Sequence, residues 1–205
     1  MRSRSLEALW MCSAFCAALA LAASVLTVLG AQERGVHAAL AATARFAFLL
    51  FWPAYSGGAL ASLFGPAFQP LKQYARILGL AFASALLVHL GLVGLLCLIG
   101  AAPPVSTFIF FGVAAVWVYL LALFSIGRLH RALGPKYWWL LSTVGMNYLA
   151  YAFIVDFLKE PLQGGVRHVV EYLPFAVLAI AGPSLRLAAL AQRVGRKWKE
   201  RNPKF

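Results

Sequence analysis

The sequence predicts an all-helical integral membrane protein, a single bundle of six transmembrane helices with both termini in the cytoplasm. Three observations carry this. First, 62% of the 205 residues are hydrophobic and only 12% are charged, whereas a soluble domain carries about a quarter charged residues. Second, six apolar stretches reach the ~20 residues needed to cross a bilayer. Third, Lys and Arg concentrate in alternate connections, as they do in cytoplasmic loops.

The first span runs from Ala8 to Gly30. Arg2 and Arg4 before it would also suit a secretory signal, with Val28 and Gly30 ahead of a cleavage point. Its apolar run exceeds the ~7–15 residues of such a signal, so it reads as an uncleaved helix. A polar break follows, and the second span covers Ala44 to Phe64, with Arg45 at its start and Pro53 within. A spanning helix tolerates such a proline when neighbours satisfy the freed carbonyl. Gly57 and Gly58 would admit another helix closely.

The third span is Tyr74 to Ile99, and Gly100 to Pro104 form an uncharged turn. The fourth is Val105 to Ile126, followed by a loop with Arg128, His130, Arg131 and Lys136. The fifth is Tyr137 to Leu158 and the sixth Val169 to Leu190; the tail, residues 191–205, carries Arg193, Arg196, Lys197, Lys199, Arg201 and Lys204. Six spans with both ends inside place every strongly basic segment in the cytoplasm, which predicts a multi-pass protein of the inner (cytoplasmic) membrane.

The formal net charge of +12 follows from that bias and calls for no nucleic acid. The tail reads as a solvated stop signal, or as a patch for anionic lipid. Cys12, Cys16 and Cys97 have no metal-type spacing. Cys12 and Cys16, at i and i+4, read as small core residues rather than ligands.

Ionisable groups inside a span are costly and often functional. His89 is the clearest, thirteen residues beyond Arg76 in the third span. Phe82, Ala85, Leu86, Leu92, Val93 and Leu96 share its helical face. That slot suits either a histidine bonded to a neighbouring helix or an imidazole on the iron of a flat apolar macrocycle. Asp156 stands near Lys159 at the outer end of the fifth span, where an ion pair is expected. His37 and His168 fall in the two outer segments, in solvent-facing positions.

The pattern Arg76, Gly79 and His89 in R-x-x-G-L-x-x-x-x-x-x-x-x-H-L resembles the third helix of the ferric reductase-like transmembrane family. That family includes the membrane parts of NADPH oxidases and the haem subunit serving a bacterial methionine sulfoxide reductase. ARFAFLLFWPAY before a Gly-Pro turn, and LGPKYWWLLSTVGMNYLAYAF from Leu133 to Phe153, are similar to it too. The resemblance spans about residues 40 to 158. It implies haem b with His89 as an axial iron ligand, and electrons passed across the bilayer.

One departure stands out. The family's fifth helix carries a histidine shortly after a Trp, and here Trp138-Trp139-Leu140-Leu141 leads to Ser142. Met146 lies about one turn from His89's expected depth and is the candidate second ligand. The LHR around His130 resembles the setting of the family's inner histidine, which makes His130 a second candidate for haem iron, or else a plain loop residue. Arg45 and Arg76, near opposite membrane edges, are candidates for haem propionates, or else snorkel to the interface.

No phosphate loop, H-E-x-x-H or G-x-S-x-G occurs. No flavin or nicotinamide domain fits in the 15-residue tail, so a donor would be a separate protein or a membrane quinol. Two other functions fit the sequence: a structural or assembly subunit that has lost electron transfer, and a small transporter. Ser84, Ser142, Thr143 and Asn147 are the few polar residues available to line a transport path.

Overall fold

A computed structural model describes residues 2–126, 129–159 and 166–201. The described residues are helical, without a strand. Six helices are long and apolar enough to cross a membrane: α1 (Arg2–Leu29), α2 (Glu33–Phe64), α3 (Gln69–Leu98), α4 (Val105–Ser125), α5 (His130–Lys159) and α6 (Val166–Arg201). A short 3-10 turn, Pro66–Phe68, precedes α3.

The six spans appear where the apolar runs place them, but several helices are longer. α2 begins at Glu33, eleven residues before Ala44, so most of the expected polar break is helix. Gly30 makes this possible. Its φ of 81° closes α1 with its N–H on the Leu26 carbonyl, in the left-handed conformation that ends helices. A Cβ at Gly35 would collide with the Gly30 carbonyl, so α2 can start at once. α6 likewise continues to Arg201 through the basic tail. α5 starts at His130 and is interrupted at Gly134, φ 74° and ψ 161°, before Pro135. The main α5 rod therefore begins two residues ahead of Tyr137.

The chain forms two compact units, residues 1–51 with 76–152, and residues 52–75 with 153–205. α3 is the centre of the first. Half of its most apolar stretch is buried in protein, against 17% for α1 and α4. Ala14, Ala18 and Ala22, one turn apart on α1, pack with Ala39 of α2 and Ala81, Ala85, Val88 and Leu92 of α3. Lipid is as apolar as leucine, so helices in a bilayer associate by close packing, and small residues permit it.

Pair contacts give the directions within this unit. Thr43 meets His89 and Phe51 meets Phe82, so advancing along α2 means retreating along α3: the two are antiparallel. Glu7 with Arg76 and Met11 with Ser84 make α1 and α3 parallel. Arg76 with Ser125 and Ala83 with Tyr119 make α3 and α4 antiparallel. α4 and α5 are also antiparallel, because Tyr148 bonds the Phe110 carbonyl while Gly145 seats against Trp117 and Leu121.

In the second unit α2 and α6 run parallel. Trp52 meets Leu178, and Tyr55 meets Arg186. Pro183 has no N–H for the carbonyl four residues back and disturbs the helix ladder around it. Trp52 Nε1–H donates to the nearby Leu178 carbonyl at 2.6 Å, which supplies a donor at this weakened turn. Gly182 admits the approach, since a Cβ there would sit 3.2 Å from the Tyr55 ring. Gly57 performs the same service against Leu71, whereas Gly58 faces open space.

The three cysteines are not core residues. Cys12, Cys16 and Cys97 are all exposed. On α1 the buried stripe is taken by Ala14, Ala18 and Ala22, and Cys12 and Cys16 fall outside it, on the side an embedded helix presents to lipid.

Candidate functional site

His89 projects from the best-packed helix of the first unit. On its expected face Phe82, Ala85, Leu92 and Leu96 are buried, and His89 itself is half-buried. Its Nδ1 lies 3.0 Å from the Thr43 hydroxyl of α2. Thr43 is ten residues from the Glu33 end of α2, and His89 nine residues from the Leu98 end of α3. At 1.5 Å per residue both stand about 14–15 Å from those ends, so the antiparallel helices present them at one depth.

The Thr43 hydroxyl is also 2.8 Å from the Ala39 carbonyl and 3.1 Å from that of Leu40. A hydroxyl has one proton and two acceptor lone pairs. The shorter Ala39 contact takes the proton, and the oxygen then accepts from His89 Nδ1–H. We assign the tautomer on this basis. The ring also donates to the Leu40 carbonyl, so in this tautomer Nδ1–H is shared between Thr43 and Leu40 and the lone pair stands on Nε2. An imidazole held through Nδ1–H with Nε2 open is the arrangement of metal-binding histidines, whose second nitrogen is fixed by an outer partner.

Arg76 occupies the other end of α3. Its Nη1 and Nη2 donate to the two Glu7 oxygens at 2.7 and 3.1 Å, and Nη2 also reaches the Ser125 carbonyl at 2.7 Å. The carboxylate fork matches the guanidinium fork, while the carbonyl belongs to the unsatisfied C-terminal turn of α4. One side chain thus joins the ends of α1, α3 and α4. These bonds take three of the five guanidinium N–H groups, and the buried Nε has no hydrogen-bond partner.

The other expected residues lie on α2, α5 and α6. Arg45 follows Thr43 by two residues, so it leaves α2 about 200° away around the helix. It is half-buried and engaged in a contact of its own. Met146 is half-buried on α5, and the polar partners of His89 include Thr43 and the Leu40 backbone. Ser142 donates within its own helix to the Trp139 carbonyl at 3.1 Å. His37 stands 3.8 Å from Glu33 in the first turns of α2. His130 opens α5 and His168 lies near the start of α6, but their side chains, like that of Lys159, lie outside the described residues. Among the described residues no group of three or more His, Cys, Asp or Glu side chains could hold a metal ion.

Sequence reasoning missed three members of this arrangement: Thr43, Glu7 and the Ser125 carbonyl. A signal for the first exists in ALAATARF, where a lone hydroxyl stands in an apolar run. Glu7 is one of only six acidic residues and sits at the membrane edge that Arg76 also occupies. No residue type marks a carbonyl.

The chain matches no family model, no curated protein and no solved structure.

Proposed function

We propose that this chain is an inner-membrane protein with both termini cytoplasmic, which holds haem b through His89 and passes electrons across the bilayer. The observation that carries this reading is the Thr43–His89 contact, which orients an imidazole at membrane depth and, in the tautomer assigned above, leaves Nε2 with its lone pair. The resemblance of the Arg76–His89 stretch to ferric reductase-like proteins supports it. Alternating helix directions, together with the basic N-terminus, inner loops and C-terminal turns, support the orientation.

One residue fits such a group: His89, an oriented imidazole in an apolar, packed setting, would hold its iron. Met146 is the proposed second ligand, and Arg45 and His130 are secondary contacts to test. Bound haem would supply a one-electron couple within the membrane. Thr43 fixes the imidazole ring, and the surrounding Phe82, Ala85 and Leu92 exclude water from it. Electrons would come from a separate protein or a quinol.

A reduced-minus-oxidised optical spectrum of the purified protein tests the reading. A b-type band that disappears in His89→Ala supports it. Well-folded protein that takes up no haem sinks it.

A second reading, a structural or assembly subunit without electron transfer, draws on two specific observations. Arg76 already bonds Glu7 and Ser125 inside the protein, and Ser142 stands where the family's fifth helix carries its imidazole and bonds within its own helix. A haem-free protein required for the stability of a partner would establish it.

A further inference from the structure

α6 has 36 residues, a length of about 54 Å, whereas the hydrocarbon core of a bilayer is about 30 Å thick. Its C-terminal turns therefore extend past the core. Leu173, Val177, Ile180, Leu187, Val194 and Trp198 are all exposed and repeat at spacings of three, four and seven. Within the membrane an exposed apolar stripe is unremarked, because lipid covers it. Here the stripe continues through Val194 and Trp198, where the other faces have turned polar.

Arg193 and Arg196 are exposed in the same turns, away from the stripe at 100° per residue. Lys197, Lys199 and Arg201 add to the charge in sequence, against one acid, Glu200. This is the pattern of a helix that buries an apolar face at a headgroup boundary and directs its cations to anionic lipid. A coiled coil with a second copy would use the same stripe, but it would bring two strongly basic segments together. Charge complementarity selects the lipid. Pro183 removes one ladder hydrogen bond from α6 above this segment, a place where a helix can bend to bring its lower turns towards the headgroup layer.

We propose that the C-terminal turns of α6, from Leu187 to Trp198, form a docking surface for anionic phospholipid, with Trp198 seated at the headgroup level and Arg193 and Arg196 on the lipid phosphates. The inference is independent of haem. Each basic residue near an anionic surface contributes a modest attraction that salt weakens.

The experiment compares the full-length protein in nanodiscs of phosphatidylcholine alone and of phosphatidylcholine with phosphatidylglycerol. Both leaflets then carry the same lipids, so the outcome does not depend on orientation. The rate of tryptic cleavage after Arg193 and Arg196 is followed by mass spectrometry. Cleavage is expected to slow about tenfold in the anionic discs and to recover in high salt. The variant Val194→Ser/Trp198→Ser, which keeps every tryptic site, is expected to lose most of that protection. Equal rates in the two lipids overturn the proposal. Protection that persists in the double variant overturns the apolar seat, and protection that tracks cross-linked dimers in both lipids assigns the stripe to a second copy instead.

Discussion

Thr43 and His89 meet at 3.0 Å from equal depths of two antiparallel helices. The pairing satisfies two polar groups that would each be costly in an apolar interior. It also decides which imidazole nitrogen remains available. Under the haem reading, Thr43→Val should lower haem occupancy about tenfold, the scale of losing an outer partner of a metal ligand. Thr43→Ser should retain it. Spectral titration with hemin checks both, and unchanged affinity in Thr43→Val would show that the contact does not orient the ligand.

The Arg76–Glu7 pair is expected to matter for stability. Removing one partner of a fully buried pair costs ~3–5 kcal/mol. Arg76 keeps 34% of its side chain exposed and Glu7 14%, so Glu7→Gln should cost about 2 kcal/mol after allowance for solvent screening. Arg76→Met should cost less in a Glu7→Met background than alone, because no carboxylate is then stranded. Unfolding of the four proteins in detergent measures the coupling, and additive effects would refute it.

Two glycines of similar appearance in sequence should respond oppositely to alanine. A Cβ at Gly145 would lie 2.8 Å from the Trp117 ring. Gly145→Ala should therefore destabilise by about 1–3 kcal/mol through overpacking. At Gly79 nothing lies within 4 Å, and alanine should stabilise by a few tenths to ~1 kcal/mol through helix propensity. Melting temperatures in one detergent distinguish them.

Trp52→Phe removes the donor to the Leu178 carbonyl while keeping an aromatic ring. A loss of about 1 kcal/mol is expected, the net value of a typical hydrogen bond. Faster amide exchange around Pro183 should accompany it, and unaltered exchange there would show that the indole does not support that turn.

The orientation is open to labelling. With the three native cysteines replaced by alanine, cysteine at Lys72 should react with an impermeant maleimide only from the cytoplasmic side. Cysteine at Gln32 should react only from the outer side. The reverse pattern would invert the topology.

Much of the fold was legible because bilayer crossing is a property of composition over ~20 residues. All six apolar runs became helices. Helix ends were less legible. Residues 31–43 read as a loop that opens on a polar break, yet they are helix from Glu33 because Gly30 turns the chain at once and Gly35 leaves room for the Gly30 carbonyl. Burial was misread for Cys12 and Cys16, since in an all-apolar helix nothing in the residue types says which side faces protein.

His89 itself was legible as an ionisable residue at membrane depth, and so was its apolar face. The sequence by itself determined the class of protein, the number of spans and the residue most costly to place. Only the tertiary structure decided what that residue meets. Thr43 lies 46 positions from His89 and Glu7 lies 69 from Arg76, and such pairings depend on which helices pack together and in what register. The physical reason is that crossing a membrane is a local free energy, summed residue by residue, whereas a hydrogen bond between helices exists only after alanine-lined surfaces have brought two backbones together at one depth.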